Sequence, residues 1–168
     1  MKKLLLLLIC LPAVGFSQFK FSIEGLNYEI FTYKDYEAEE IHSELRDWIN
    51  LNFMEPKNAI IADADGKYLK LKGYAPDSAC EKEGKECYSM QYAIEFTFSD
   101  NKMIVKPTVY QIKSPTFGYK QPQTQWFKKD GTPKTKNIKT VQLAGEFFDR
   151  MLSKIDRSIK EETKLSMK

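Results

Sequence analysis

Residues 88 to 98 read YSMQYAIEFTF. Tyr88, Met90, Tyr92, Ile94, Phe96 and Phe98 alternate with Ser89, Gln91, Ala93, Glu95 and Thr97. Successive side chains of a strand point to opposite faces, so this stretch puts its large apolar and aromatic groups on one side and shorter or polar ones on the other. Such a strand needs cover on one side only, and the chain carries two amphipathic helices that could supply it. In the first, Ala38, Ile41, Leu45, Trp48, Ile49 and Phe53 recur at three- and four-residue steps; Asp35 is its expected N-cap, Glu37, Glu39 and Glu40 complement the helix dipole, and Pro56 lies just beyond its end. The second spans 141 to 162, with Ala144, Phe147, Phe148, Met151, Leu152, Ile155 and Ile159 on its apolar side and a frayed tail from Thr163 to Lys168.

Further strands fill out the sheet. Phe19 to Tyr33 is rich in aromatic and β-branched residues, interrupted by Gly25. Ala59 to Ala62 is a short apolar strand, and Asp65-Gly66 is a hairpin turn. Beyond it, Leu69, Leu71 and Gly73 face one way and Tyr68, Lys70, Lys72 and Tyr74 the other; a polar connection runs from Ala75 to Cys87. Asp100-Asn101 offers a turn before a strand from Lys102 to Ile112, where Pro107 suggests an edge position or a bulge. The fold class is α+β: a single antiparallel sheet of about five strands with two helices on one face, in the order β-α-β-β-β-β-α.

The opening MKKLLLLLICLPAVGFSQ has the form of a secretory signal peptide, residues 1–17, with Lys2 and Lys3 ahead of a short apolar run and cleavage after Ser17. The run is well short of the ~20 residues that span a bilayer. A competing reading makes Cys10 a lipidation site, but Ile9 stands where that signal needs a small residue. Cleavage would remove two lysines and no acid, lowering the net charge from +3 to +1. The mature segment 18–162 is one domain's length, with no later apolar run to cross a membrane, so the chain is expected to be exported, to the periplasm or beyond the cell. An even pair of cysteines in an exported chain, Cys80 and Cys87, reads first as a disulfide. A metal site would need more ligands than His42, the lone histidine, supplies, and a redox pair usually has the tighter C-x-x-C spacing. In the CEKEGKEC stretch between them, Glu81, Lys82, Glu83, Lys85 and Glu86 keep the tip soluble and Gly84 permits the turn.

LRDWINLNF at 45 to 53, ADGKYLKLKG at 64 to 73, YAIEFTFSDNKMIV at 92 to 105 and the closing helix from Val141 together resemble domain-of-unknown-function family 4468, secreted bacterial domains with a TATA-binding-protein-like (TBP-like) fold. The cysteine pair and the proline-containing segment after Ile112 have no counterpart in that pattern. The resemblance implies the fold and carries no catalytic residues.

Candidate chemistry is sparse. "DADG", Asp63 to Gly66, starts like a calcium loop, but Lys72 stands where the loop's bidentate Glu belongs, and the hairpin reading is preferred. His42 lies at the flank of the first helix's apolar stripe, either as a packed boundary residue or as a catalytic base with a partner that only the fold brings near. The segment from Lys113 to Thr140 is a long loop with seven lysines and one acid, through which Phe117, Tyr119, Trp126, Phe127, Lys128 and Lys129 interleave rings with charge. It is either a ligand surface or a loop whose aromatics pack on the sheet. Tyr68, Lys70, Lys72 and Tyr74 form a second candidate surface, or an ordinary solvated sheet face.

The sequence therefore reads as an exported, non-catalytic binding or interaction domain at the cell envelope, with a protein, glycan or other anionic partner and no cofactor or metal. Nucleic acid is disfavoured by export and by a mature charge near zero. The alternative is a small extracytoplasmic, hydrolase-like enzyme with a site near His42.

Overall fold

The alternating stretch forms the centre of the molecule. In the computed structural model, which describes residues 19–80 and 87–166 (side chains as far as Glu161), the chain runs β1 (Phe21–Ser22), β2 (Gly25–Leu26), β3 (Glu29–Thr32), α1 (Ala38–Asn52), α2 (Pro56–Ala59), β4 (Ile60–Ala64), β5 (Tyr68–Cys80), β6 (Cys87–Ser99), β7 (Lys102–Ser114), β8 (Gly118–Lys120), α3 (Pro122–Trp126), a 3-10 turn (Thr135–Asn137) and α4 (Ile138–Ser166). The main sheet is antiparallel in the order β3-β7-β6-β5-β4, with β8 paired to the far end of β7. It has six strands instead of about five, because the segment after Ile112 turns back to add β8.

Register explains the core. Leu69 pairs with Phe96 and Phe96 with Val105; Leu71 pairs with Ile94 and Ile94 with Pro107; Gly73 pairs with Tyr92 and Tyr92 with Val109. Apart from Gly73, these inward residues are buried, under the apolar stripes of α1 and α4. A bulge at Tyr110, between the pairs Tyr92–Val109 and Gln91–Gln111, resets the phase of β7 so that Ile112 also points inward. Pro107 sits where β7 has lost β3 and not yet met β8, an edge-like gap of the kind its missing N–H requires.

Several boundaries differ from the sequence reading. The N-cap of α1 is Glu37, not Asp35, whose φ of 64° places it in the preceding turn. Glu40 accepts the Glu37 N–H at 2.8 Å, and Asp100, from the β6–β7 turn, accepts the Ala38 N–H at 3.2 Å, so a distant loop completes the cap. The polar connection expected from Ala75 is strand as far as Cys80, with an irregularity between Ala75 and Ala79 where Asp77 takes a φ of 44°. Cys80 and Cys87 pair directly across β5 and β6 and are joined as a disulfide; the tip at residues 81–86 lies outside the described residues. The closing helix is longer at both ends than 141–162 and continues to Ser166 where a frayed tail was expected. At the other end of the chain, Phe19 is buried against Phe148, and Asp149 accepts its N–H at 2.9 Å. No helix among the described residues is long and apolar enough to cross a membrane.

Candidate functional site

Helices cover one side of the sheet, and among the described residues its other side is open. Across it, Tyr68 aligns with Thr97 and Ile104, Lys70 with Glu95 and Lys106, Lys72 with Ala93 and Thr108, Tyr74 with Gln91 and Gln111, and Lys113 with Ser89 and Tyr119. The bulge leaves Tyr110 beside Gln111 on this side. Tyr74, Tyr110 and Tyr119 are each about half exposed (51%, 46% and 48%). With Lys102, these rows hold five lysines, Lys70, Lys72, Lys102, Lys106 and Lys113, against a single acid, Glu95. Lys70 is bonded to Glu95 at 2.7 Å, and that bond is the main reason its ammonium pKa is raised. Lys72 and Lys106 are exposed to solvent, and Lys113 lies 5.3 Å from the centre of the Tyr119 ring. Among the surface residues picked out from sequence, Tyr68, Lys70, Lys72, Tyr74 and Tyr119 therefore share one face.

The loop residues divide. Trp126 and Phe127 are core residues and are corrected as ligand contacts: Trp126 is fully buried with its ring 5.5 Å from Phe21 and 5.9 Å from Tyr88, and Phe127 stacks on Phe21 at 5.9 Å. Phe117 leans on Tyr88 at 5.8 Å and is partly buried. The physical reason is the β1–β2 hairpin and the far end of β6, which would otherwise leave Phe21 and Tyr88 wet. Lys128 and Lys129 stay in solvent. Nor is the segment structureless: Lys134 N–H donates to Trp126 at 2.8 Å, Lys128 N–H to Thr132 at 2.8 Å, and Asn137 Nδ2 to the Gln125 carbonyl at 2.9 Å.

His42 is deeply buried, with 1% of its surface exposed. Its ring stands edge-on to Phe98 at 5.1 Å. Nε2 is 2.7 Å from Asp63 Oδ1 and Nδ1 is 3.0 Å from Asp65 Oδ1, while Arg46 Nε, one turn along α1, lies 3.5 Å from Asp63 Oδ2. The two aspartates of "DADG" thus tie the β4–β5 turn to α1, and Gly66 supplies the turn's positive φ of 62°. Histidine and carboxylates do meet, as an enzyme would need, but both ring nitrogens are engaged and the ring itself is almost wholly buried.

A feature the sequence did not single out lies at the edge of β5. β4 accompanies β5 only as far as Leu71, leaving Gly73 to Pro76 without a paired strand on that side among the described residues. The α1–α2 connector passes there and forms two clefts. One, ≈ 490 Å³, lies between the end of α1, β5 and α4, with Trp48, Phe53, Tyr92, Phe147 and Met151 among its walls. The other, ≈ 610 Å³, opens toward the sheet face beside Lys72, Gln91 and Tyr110. Phe53, Met54 and Tyr74 line both. Gly73 was legible as an inward position; that its missing side chain makes room for Tyr92 was not.

An antiparallel sheet with helices on one side only, in this strand order, defines the TBP-like α+β class. Among solved structures, the chain is similar to a DUF4468 family protein from Bacteroides ovatus, with a TM-score of 0.66 and 13% identity over 87% of this chain and 91% of that one. It is also similar to a TBP-like protein from Parabacteroides distasonis, with a TM-score of 0.60 and 9% identity over 80% of this chain and 91% of that one. At such identities the likeness is one of fold, and fold alone does not carry function. No family model matches the chain, and no curated protein matches it.

Proposed function

We propose that the protein is an exported, non-catalytic binding domain whose open sheet face takes an acidic glycan of the cell envelope. The observation that carries the reading is the face itself: among the described residues its paired rows hold five lysines to one glutamate, with exposed tyrosines between them, on a chain whose charge after signal removal is +1. Rigid strands hold the tyrosine rings ready to lie on sugar rings at little entropic cost, while the lysines meet the acid groups. Export is supported by the leader-like opening and is compatible with the disulfide. The enzyme reading loses support because His42 and its carboxylates are spent on joining α1 to the β4–β5 turn.

Binding of polygalacturonate, compared with neutral dextran, tests the proposal. Polygalacturonate should bind and weaken with salt, as screened surface charges require. Neutralising Lys72→Gln and Lys106→Gln together should lower its affinity by about threefold or more with little change in melting temperature. Equal binding of dextran, or an unchanged affinity in the double variant, would refute it.

A further inference from the structure

The cleft between α1, β5 and α4 differs in kind from the sheet face. Its walls are aromatic and thioether groups carried by α1, β6 and α4, and Tyr92 of β6 lies among them. Tyr92 is only 4% exposed; its hydroxyl has only the weak thioether acceptor of Met151, at 3.8 Å, and burial holds the phenol protonated by pushing its pKa up to about 12. Its one O–H proton is thus directed at Met151 on the cleft wall. Arg150 and Lys154, one turn apart on α4, are the charged groups of the lining, and no carboxylate lines it among the described residues. Arg150 is exposed, with a long contact of 3.8 Å to the half-buried Glu146 on its own helix, and its charge also acts on Asp149.

The size suits a small molecule, since such sites usually enclose about 300–1,000 Å³. A peptide adding itself to the free edge of β5 fits poorly: Pro76 has no N–H to offer, and the irregularity between Ala75 and Ala79 breaks the ladder. What remains is a largely apolar trough with two cations, Arg150 and Lys154, and neutral polar groups from Asn52, Tyr74 and Tyr92. We propose that this cleft is a second binding site, separate from the lysine-rich sheet face, and that it takes a single-chain amphiphile with a carboxylate head, of the fatty-acid class. The chain lies over Phe147, Met151 and Trp48, and the carboxylate meets Arg150 and Lys154. Tyr74 borders both sites.

Calorimetric titration of the mature chain with monomeric octanoate, decanoate and decan-1-ol tests this. Decanoate should bind about fifteenfold more tightly than octanoate, the ratio that follows from ~0.8 kcal/mol for each buried methylene. It should bind about fivefold more tightly than decan-1-ol, as two partly exposed charge contacts allow. Arg150→Gln with Lys154→Gln should erase the preference for the acid and leave decan-1-ol unchanged. Both positions face solvent, so the fold should persist, and circular dichroism checks that it does. Equal binding of acid and alcohol, a preference that survives in the double variant, or no binding of either, overturns the proposal. The sheet-face reading stands or falls separately, on the polygalacturonate titration.

Discussion

Gly73→Ala isolates one contact on which both core and cleft depend. A Cβ built at Gly73 would lie 2.3 Å from Tyr92 Cζ and 2.4 Å from its hydroxyl oxygen, far inside van der Waals contact. Gly73 has no positive φ, so alanine meets no backbone strain there, and the change alone should stabilise by about 0.4–1 kcal/mol through the unfolded chain. The clash opposes that gain. Tyr92 is held by edge-on contacts with Phe147 and Phe148, both at 5.5 Å, so its free direction is into the cleft. Tilting there forfeits two aromatic contacts, each worth about 0.5–1.5 kcal/mol. Small-to-large changes in packed cores typically cost about 1–3 kcal/mol, and at this size each kcal/mol lowers Tm by roughly 2–4 °C. Net destabilisation of about 1–2 kcal/mol is therefore expected in urea unfolding, with loss of amphiphile binding in the cleft. Adding Tyr92→Leu to the alanine variant supplies the control: the pair should be more stable than the sum of the single changes allows, because the clash has lost one partner. A neutral or stabilising Gly73→Ala, or strict additivity in the double variant, would show that the ring is not pinned as described.

The remaining predictions concern the loop, the disulfide and the buried phenols. Trp126→Ala should destabilise by about 3–5 kcal/mol in urea unfolding, as the loss of a fully buried aromatic does, whereas Tyr119→Ala should stay within about 0.5 kcal/mol; the reverse order would return the segment after Ile112 to the status of a ligand loop. The unreduced protein should show no titratable thiol at Cys80 and Cys87, and reduction should cost about 2.5 kcal/mol for a closed loop of roughly eight residues. In a spectrophotometric titration Tyr92 should ionise near 12, and Tyr33 should lag further behind free phenol because burial, then the nearby charge of Asp156, disfavours its anion. Since the folded state keeps those protons longer than the unfolded chain, stability should fall as pH rises above about 10; a late-ionising fraction that persists after full unfolding would contradict the burial argument.

Much of the fold was legible in local pattern. The alternation from Tyr88 to Phe98, the stripes of the two helices and the inward placing of Leu69 and Leu71 follow from periodicities of two and 3.6, and the turn at Gly66 from glycine's tolerance of positive φ. Pattern did not show where a boundary depends on a distant partner. Asp35 looks like a cap because its side chain is of the right type; Glu37 is the cap because Asp100 and Glu40 reach the helix end there. Trp126 and Phe127 among lysines look like a recognition loop, and only the nearness of Phe21 and Tyr88 turns them into core. The tyrosines and lysines of the sheet face were half legible: Tyr68 to Tyr74 alternate visibly, but Lys106, Tyr110 and Lys113 join them through register and a bulge, which sequence does not display.

Local pattern was thus enough to specify the class of fold and the inward and outward sides of the long strands, because each depends on neighbours within a few residues, and the leader-like opening pointed to the pairing of Cys80 with Cys87. Long-range packing settled the fate of His42, the burial of Trp126 and the existence of the cleft. Each of these arises where elements far apart in the chain meet: α1 with the β4–β5 turn, the segment after Ile112 with the first hairpin, and α4 with the stretch of β5 that β4 leaves bare. Contacts at such separations depend on the packing of whole elements, and the short-range periodicity that marks a strand or a helix carries no record of them.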